Sequence, residues 1–132
     1  MVRVIIFLFL SWSGYSQTGK LTDAQLNSSG ANKLFFIQNI LQAQNLAKSD
    51  IENGTPILFL QSGIAPIVFS KDSIFEKDFN VYYYDLGDVA PKQQFVIEYN
   101  QVIFEHLTKL YKKKWKRKVR KDVVGYRTYK MK

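Results

Sequence analysis

From Lys92 onward, apolar residues recur every three to four positions: Phe95/Val96, Tyr99, Val102/Ile103, His106/Leu107, Leu110 and Lys114/Trp115, then Val119 and Val123. This period marks an amphipathic helix whose apolar stripe must face a core. Nine of the thirteen residues from Lys109 to Lys121 are Lys or Arg, and they leave the stripe almost untouched. They therefore read as the solvent face of that helix, with a break into two expected near Lys113–Lys116. A helix this long and one-sided needs other elements to cover it, so the upstream segments decide the fold class.

Those segments alternate in type. Leu34, Ile37, Ile40/Leu41, Ala47 and Ile51 predict a helix over Lys33–Glu52, stopped by Asn53-Gly54. Ile57–Leu60 is a continuous apolar run after Pro56 and reads as a buried strand. Gln61-Ser62-Gly63 predicts a turn, and Ile64–Phe69 a second, antiparallel strand that Pro66 confines to an edge. Ser73 and Glu76 have capping-box spacing, predicting a short helix through Phe79 with Ser73 as N-cap. Val81 and three tyrosines predict a third strand over Asn80–Leu86, and Pro91 suits the first turn of the long helix. The expected fold is α+β: a small three-stranded sheet packed against a long C-terminal amphipathic helix and one N-terminal helix. Residues 33–126 form the single domain in this reading. The polar stretch 17–32 is a flexible lead-in, and 127–132 a basic tail.

Residues 1–16 are set aside as a signal peptide. Arg3 supplies a basic start, Val4–Leu10 an apolar middle, and Gly14 and Ser16 the small residues before a cut at Gln17. Seven apolar residues are too few to cross a bilayer core, so no transmembrane anchor is expected in the mature chain. The chain has no cysteine, which excludes disulfides, thiolate metal sites, a cysteine nucleophile and a lipoprotein anchor. A small exported domain without disulfides fits a bacterial envelope, so the expected location is the periplasm or the extracellular space.

Charge is unevenly distributed. The 132-residue chain carries +8, yet residues 17–108 hold ten acidic residues against Lys20, Lys33, Lys48, Lys71, Lys77 and Lys92. The C-terminal basic run points to an anionic partner bound through Lys109, Lys112, Lys113, Lys116, Arg117, Lys118, Arg120 and Lys121. Export makes nucleic acid the poorer candidate and favours anionic envelope glycans, lipids or an acidic protein. A merely solvated helix face explains the same run. No catalytic signature, metal-ligand spacing or phosphate-cradling loop is present, and no cofactor is implied. The rival reading is a small hydrolase with His106, the one histidine, near Asp85 and Glu98. A third is an inhibitor or immunity-type protein that neutralises an acidic partner.

The segments FEKDFNVYYYDLGDVAP (75–91), EYNQVIFEHL (98–107) and KWKRKVRKDVVGY (114–126) resemble short, functionally uncharacterised exported proteins of Bacteroidota, over residues 57–126. The resemblance implies export and a shared fold, with no activity or catalytic residues to transfer. In such proteins Asp-Ser followed by an apolar residue resembles an O-glycosylation acceptor, which places a possible glycan on Ser73 of Asp72-Ser73-Ile74.

Overall fold

The structure is a computed structural model that describes residues 20–131. The expected signal peptide lies outside the described residues. Among the described residues, six α-helices and two strands follow in chain order: α1 (Asp23–Ser28), α2 (Gly30–Lys33), α3 (Ile40–Glu52), β1 (Ile57–Leu60), α4 (Asp72–Phe79), β2 (Tyr82–Asp85), α5 (Gln93–Tyr111) and α6 (Tyr126–Lys130). A single 3-10 turn, Lys114–Arg117, lies between the last two helices.

The fold is mixed helix and strand, but its sheet has two strands rather than three. β1 pairs with β2 in parallel, Ile57 opposite Tyr82 and Leu60 opposite Asp85. The expected hairpin strand at Ile64–Phe69 is irregular and solvent-facing, for two reasons. Pro66 has no N–H to donate to a ladder, and both edges of β1 are already taken. β2 fills one edge; on the other, Leu60 bridges Val123, and the Val124 N–H donates to the Phe59 carbonyl at 3.0 Å. The chain returns through α4 before β2 begins, which permits the parallel pairing.

Helix α5 lies against β1 and α3 and carries much of the core. Its buried face is Phe95, Val96, Tyr99, Asn100, Ile103, Phe104 and Leu107. Two of these are polar and bond directly to β1. The Tyr99 hydroxyl accepts from the Ile57 N–H (3.2 Å), and Asn100 Oδ1 accepts from the Phe59 N–H (3.0 Å). Asn100 Nδ2 donates to the carbonyls of Phe59 (3.1 Å) and Val124 (2.8 Å). One side chain thereby satisfies backbone groups that a third strand would otherwise pair.

From Lys20 on, the stretch expected as a flexible lead-in holds two short capped helices instead. Thr22 and Gln25 form a reciprocal capping box that starts α1, and Ser29 caps α2. Ser29, Gly30 and Ala31 are buried. A Cβ on Gly30 would stand 2.6 Å from Tyr99 Cε2, so only glycine fits there without a shift. The predicted helix over Lys33–Glu52 is interrupted after Lys33 and restarts at α3, where the Asn39 side chain accepts from the Gln42 N–H at 2.9 Å. It ends at Asn53-Gly54 as expected, with Gly54 at φ +78°.

The Ser73 capping box does not form. Lys71 occupies the N-cap without a side-chain bond. Glu76 Oε2 instead accepts from the Tyr83 N–H at 2.8 Å, so the side chain that would reach back is committed to β2. Part of the tail expected over 127–132 is helical: α6 continues from the buried Tyr126 to Lys130 and sets the Tyr129 ring 4.9 Å from Phe104.

Candidate functional site

Past Lys109, in the last turn of α5, the basic run is a loop, the helix breaking at Lys112 close to the break expected near Lys113–Lys116. α5 stops at Tyr111 because Lys112 adopts φ +59°, and the 3-10 turn follows. Trp115 is the anchor. It is fully buried, stacks on Phe104 at 5.6 Å, and donates its indole N–H to Thr108 Oγ1 at 3.1 Å. Val119 is buried beside it in the core. The loop closes on the Lys116 carbonyl, which accepts from Lys121 Nζ (2.9 Å) and the Tyr126 hydroxyl (3.1 Å). A fixed scaffold thus presents the lysines.

The proposed anion-binding residues divide into three groups. Lys109, Lys112, Lys113, Arg117, Lys118 and Lys121 are exposed, and Lys114 joins them although its spacing had placed it on the apolar stripe. Lys116 is half-buried, its ammonium 5.3 Å above the Tyr129 ring. Arg120 leaves the set. Its side chain is 7% exposed and its guanidinium makes four hydrogen bonds. It bonds Asp72 (3.0 Å), Asp122 (2.7 and 3.0 Å) and the Ile67 carbonyl (2.9 Å). It also sits over the rings of Phe69 (4.7 Å) and Tyr83 (5.7 Å). Burial works against its charge, but the hydrogen bonds and charges of Asp122 and Asp72 prevail and raise its pKa further. The two ion pairs among the described residues both belong to Arg120. None involves the exposed lysines of the loop.

Arg120 also links the basic loop to a second surface that sequence reasoning missed. Ile64, Ile67, Val68 and Phe69 are 88%, 52%, 76% and 51% exposed, four large apolar side chains within six residues. The available signal was Pro66 inside an apolar run, which weakens that run's claim to a place in a sheet. Phe69, Lys71 and Lys118 line one shallow depression of about 330 Å³. A second cavity of about 510 Å³, which shares Phe69 with the first, runs past Tyr82 and Tyr84 to Leu21 and Leu26. Glu76 lines it too; burial raises its carboxyl pKa, partly offset by the Tyr83 N–H bond.

His106, Asp85 and Glu98 are not joined by any hydrogen bond among the described residues. His106 is half-buried on α5, where burial first and Lys109 second lower its pKa and favour the neutral ring. Glu98 accepts from Gln44 Nε2 at 3.0 Å. Asp85 terminates β2. Burial raises its pKa, but the Ser62 hydroxyl and the N–H groups of Gly87 and Ser62 outweigh that and lower it overall. No group of three or more histidine or acidic side chains able to hold a metal occurs among the described residues. Ser73 is exposed in the first turn of α4, at the rim of the larger cavity. No helix among the described residues is long and apolar enough to cross a membrane. Comparison with known proteins finds no matching family, no matching curated protein and no matching solved structure.

Proposed function

We propose that this chain is an exported, non-enzymatic binding or accessory protein of the bacterial envelope that engages an anionic partner through the Lys109–Lys121 loop. The observation that carries the reading is the set of seven exposed cations on the last turn of α5 and the anchored loop after it, with both described ion pairs made by Arg120 and neither by these seven. Unneutralised like charges held together repel one another, and an anionic partner relieves that repulsion. Export rests on the signal-like start of the sequence and on the resemblance to exported Bacteroidota proteins. The same resemblance supports a glycan on Ser73, which is accessible.

The test is retention on immobilised heparin across a salt gradient. A defined site holds the chain beyond about 0.3 M salt, where diffuse surface charge is largely screened. Changing Lys112, Lys113, Lys116 and Arg117 together to Gln should move elution to much lower salt. Unchanged elution of that variant would sink the basic-loop reading.

A further inference from the structure

We propose that the anionic partner is a lipid bilayer surface, and that Ile64–Phe69 inserts into it while the basic loop binds the headgroups. This rests on the basic-loop reading above and gives it a specific occupant. Three observations carry it.

First, the apolar loop is exposed without a place in the sheet. Ile64, Ile67, Val68 and Phe69 are all more than half exposed, in a segment whose backbone joins neither edge of β1. Single exposed apolar residues are ordinary, but four within six positions form a patch with a preferred apolar environment. Second, cations stand beside that patch. Lys71 and Lys118 share a depression with Phe69, and Lys118 belongs to the basic loop. A wedge of apolar side chains next to ammonium groups complements a bilayer, whose apolar interior lies beneath a layer of anionic headgroups. A soluble polysaccharide or an acidic peptide uses the cations and leaves the wedge in water. Third, the two parts are fastened together. Arg120 belongs to the basic segment, yet it donates to the Ile67 carbonyl at 2.9 Å and stacks on Phe69 at 4.7 Å. Its salt bridge to Asp72 at 3.0 Å ties in α4, while the Phe69 N–H donates to the same carboxylate oxygen at 3.0 Å. Arg120 therefore spends its charge on geometry, keeping the wedge beside the exposed lysines.

The chain has no cysteine, so a single one can carry a probe. Val68→Cys, labelled with an environment-sensitive fluorophore in the full chain, reads insertion at the wedge itself. The apolar run Val4–Leu10 cannot imitate that local signal. Asn53→Cys, in the turn ending α3, is the control. With vesicles of equal phosphatidylglycerol and phosphatidylethanolamine, the Val68 label should shift to the blue and the Asn53 label should not. Phosphatidylcholine vesicles should leave both unshifted. Each basic residue near such a surface contributes about fivefold in partitioning, so Lys71→Gln with Lys118→Gln should weaken binding about 25-fold. Val68→Ser should weaken it about tenfold, and an exposed site gives that change little reason to disturb folding. A Val68 label that reports water on the anionic vesicles overturns the inference. If the same labelled protein is still retained by heparin, the basic-loop reading stands alone; if heparin also fails to retain it, both fall. A blue-shifted Val68 label without vesicles, rising with protein concentration, would put a second copy on the wedge and overturn the bilayer assignment.

Discussion

Replacing Arg120 with Met separates a structural arginine from a ligand-binding one. The substitution keeps much of the stem volume and removes the guanidinium that sits over the Phe69 and Tyr83 rings. Asp72, whose side chain is 12% exposed, then keeps only the Phe69 N–H on the oxygen that held Arg120. The Ile67 carbonyl loses its guanidinium donor as well. Breaking a buried ion pair by removing one partner costs about 3–5 kcal/mol because the survivor stays charged and desolvated. Slight exposure of Asp72 places Arg120→Met near the lower end, at about 3 kcal/mol. That is a large part of the roughly 5–15 kcal/mol that stabilises a domain.

The other partner calibrates this estimate. Asp122 is 52% exposed and makes the shorter bond, 2.7 Å, yet Asp122→Asn should cost under about 1 kcal/mol because water screens it. Asp72→Asn should cost more than Asp122→Asn, since it weakens the desolvated member of the network. The double variant Arg120→Met with Asp72→Asn should lose less than the sum of the singles, by about 1–2 kcal/mol. Urea unfolding measures all four; with a slope of about 1.5 kcal/mol per molar, Arg120→Met moves the midpoint down by roughly 2 M. Amide exchange at Phe69, whose N–H is held by Asp72, should accelerate in Arg120→Met under native conditions. The reasoning fails if Arg120→Met costs less than about 1 kcal/mol, or if Asp122→Asn costs as much as Asp72→Asn.

Three further outcomes follow from the core. Asn100→Ala strands the Phe59 N–H and the Val124 carbonyl, at about 1–3 kcal/mol each, so chemical denaturation should show a loss near 4 kcal/mol. Gly30→Ala drives a methyl into the fully buried Tyr99 ring, and thermal unfolding should register about 2 kcal/mol of lost stability. Burial raises the Asp50 pKa above 3.8, against the bonds from the Gly30 N–H and the Tyr99 hydroxyl. The native state therefore keeps a proton that the unfolded chain releases, and this group's contribution to stability falls as pH rises from 3.8 to the raised value. Asp50→Asn still offers one oxygen to both donors, so stability measured across that window should lose this component of its slope.

The features legible in the sequence are those specified by neighbouring residues. Asn53-Gly54 ends α3 because Gly54 takes a positive φ at little cost. The period of α5 survives because one face of a helix is buried along its length, although its register is wider than the stripe suggests. Asn100 and Phe104 are in the core, while Leu110 is 55% exposed. Ile64–Phe69 has strand composition but no strand, because a ladder needs a free edge and β1's edges are filled from Tyr82–Asp85 and Val123–Val124. No local pattern records that occupancy. The two capping boxes make the same point. Thr22 with Gln25 and Ser73 with Glu76 are spelled alike, yet only the first forms, because the Tyr83 N–H claims Glu76.

The basic run shows where counting charges stops being informative. Nine like charges in thirteen residues look interchangeable, and each has the same claim to an anionic partner. The fold breaks that equivalence with two distant groups, Asp72 at the start of α4 and the Ile67 carbonyl, together with the half-exposed Asp122 next to the run. They desolvate and neutralise one arginine and leave its neighbours in water. Desolvation makes a charge costly to strand, whereas exposure makes it cheap to change and free to bind. Stability should therefore follow Arg120 and anion binding should follow Lys112, Lys113 and Arg117, although all four lie within nine residues.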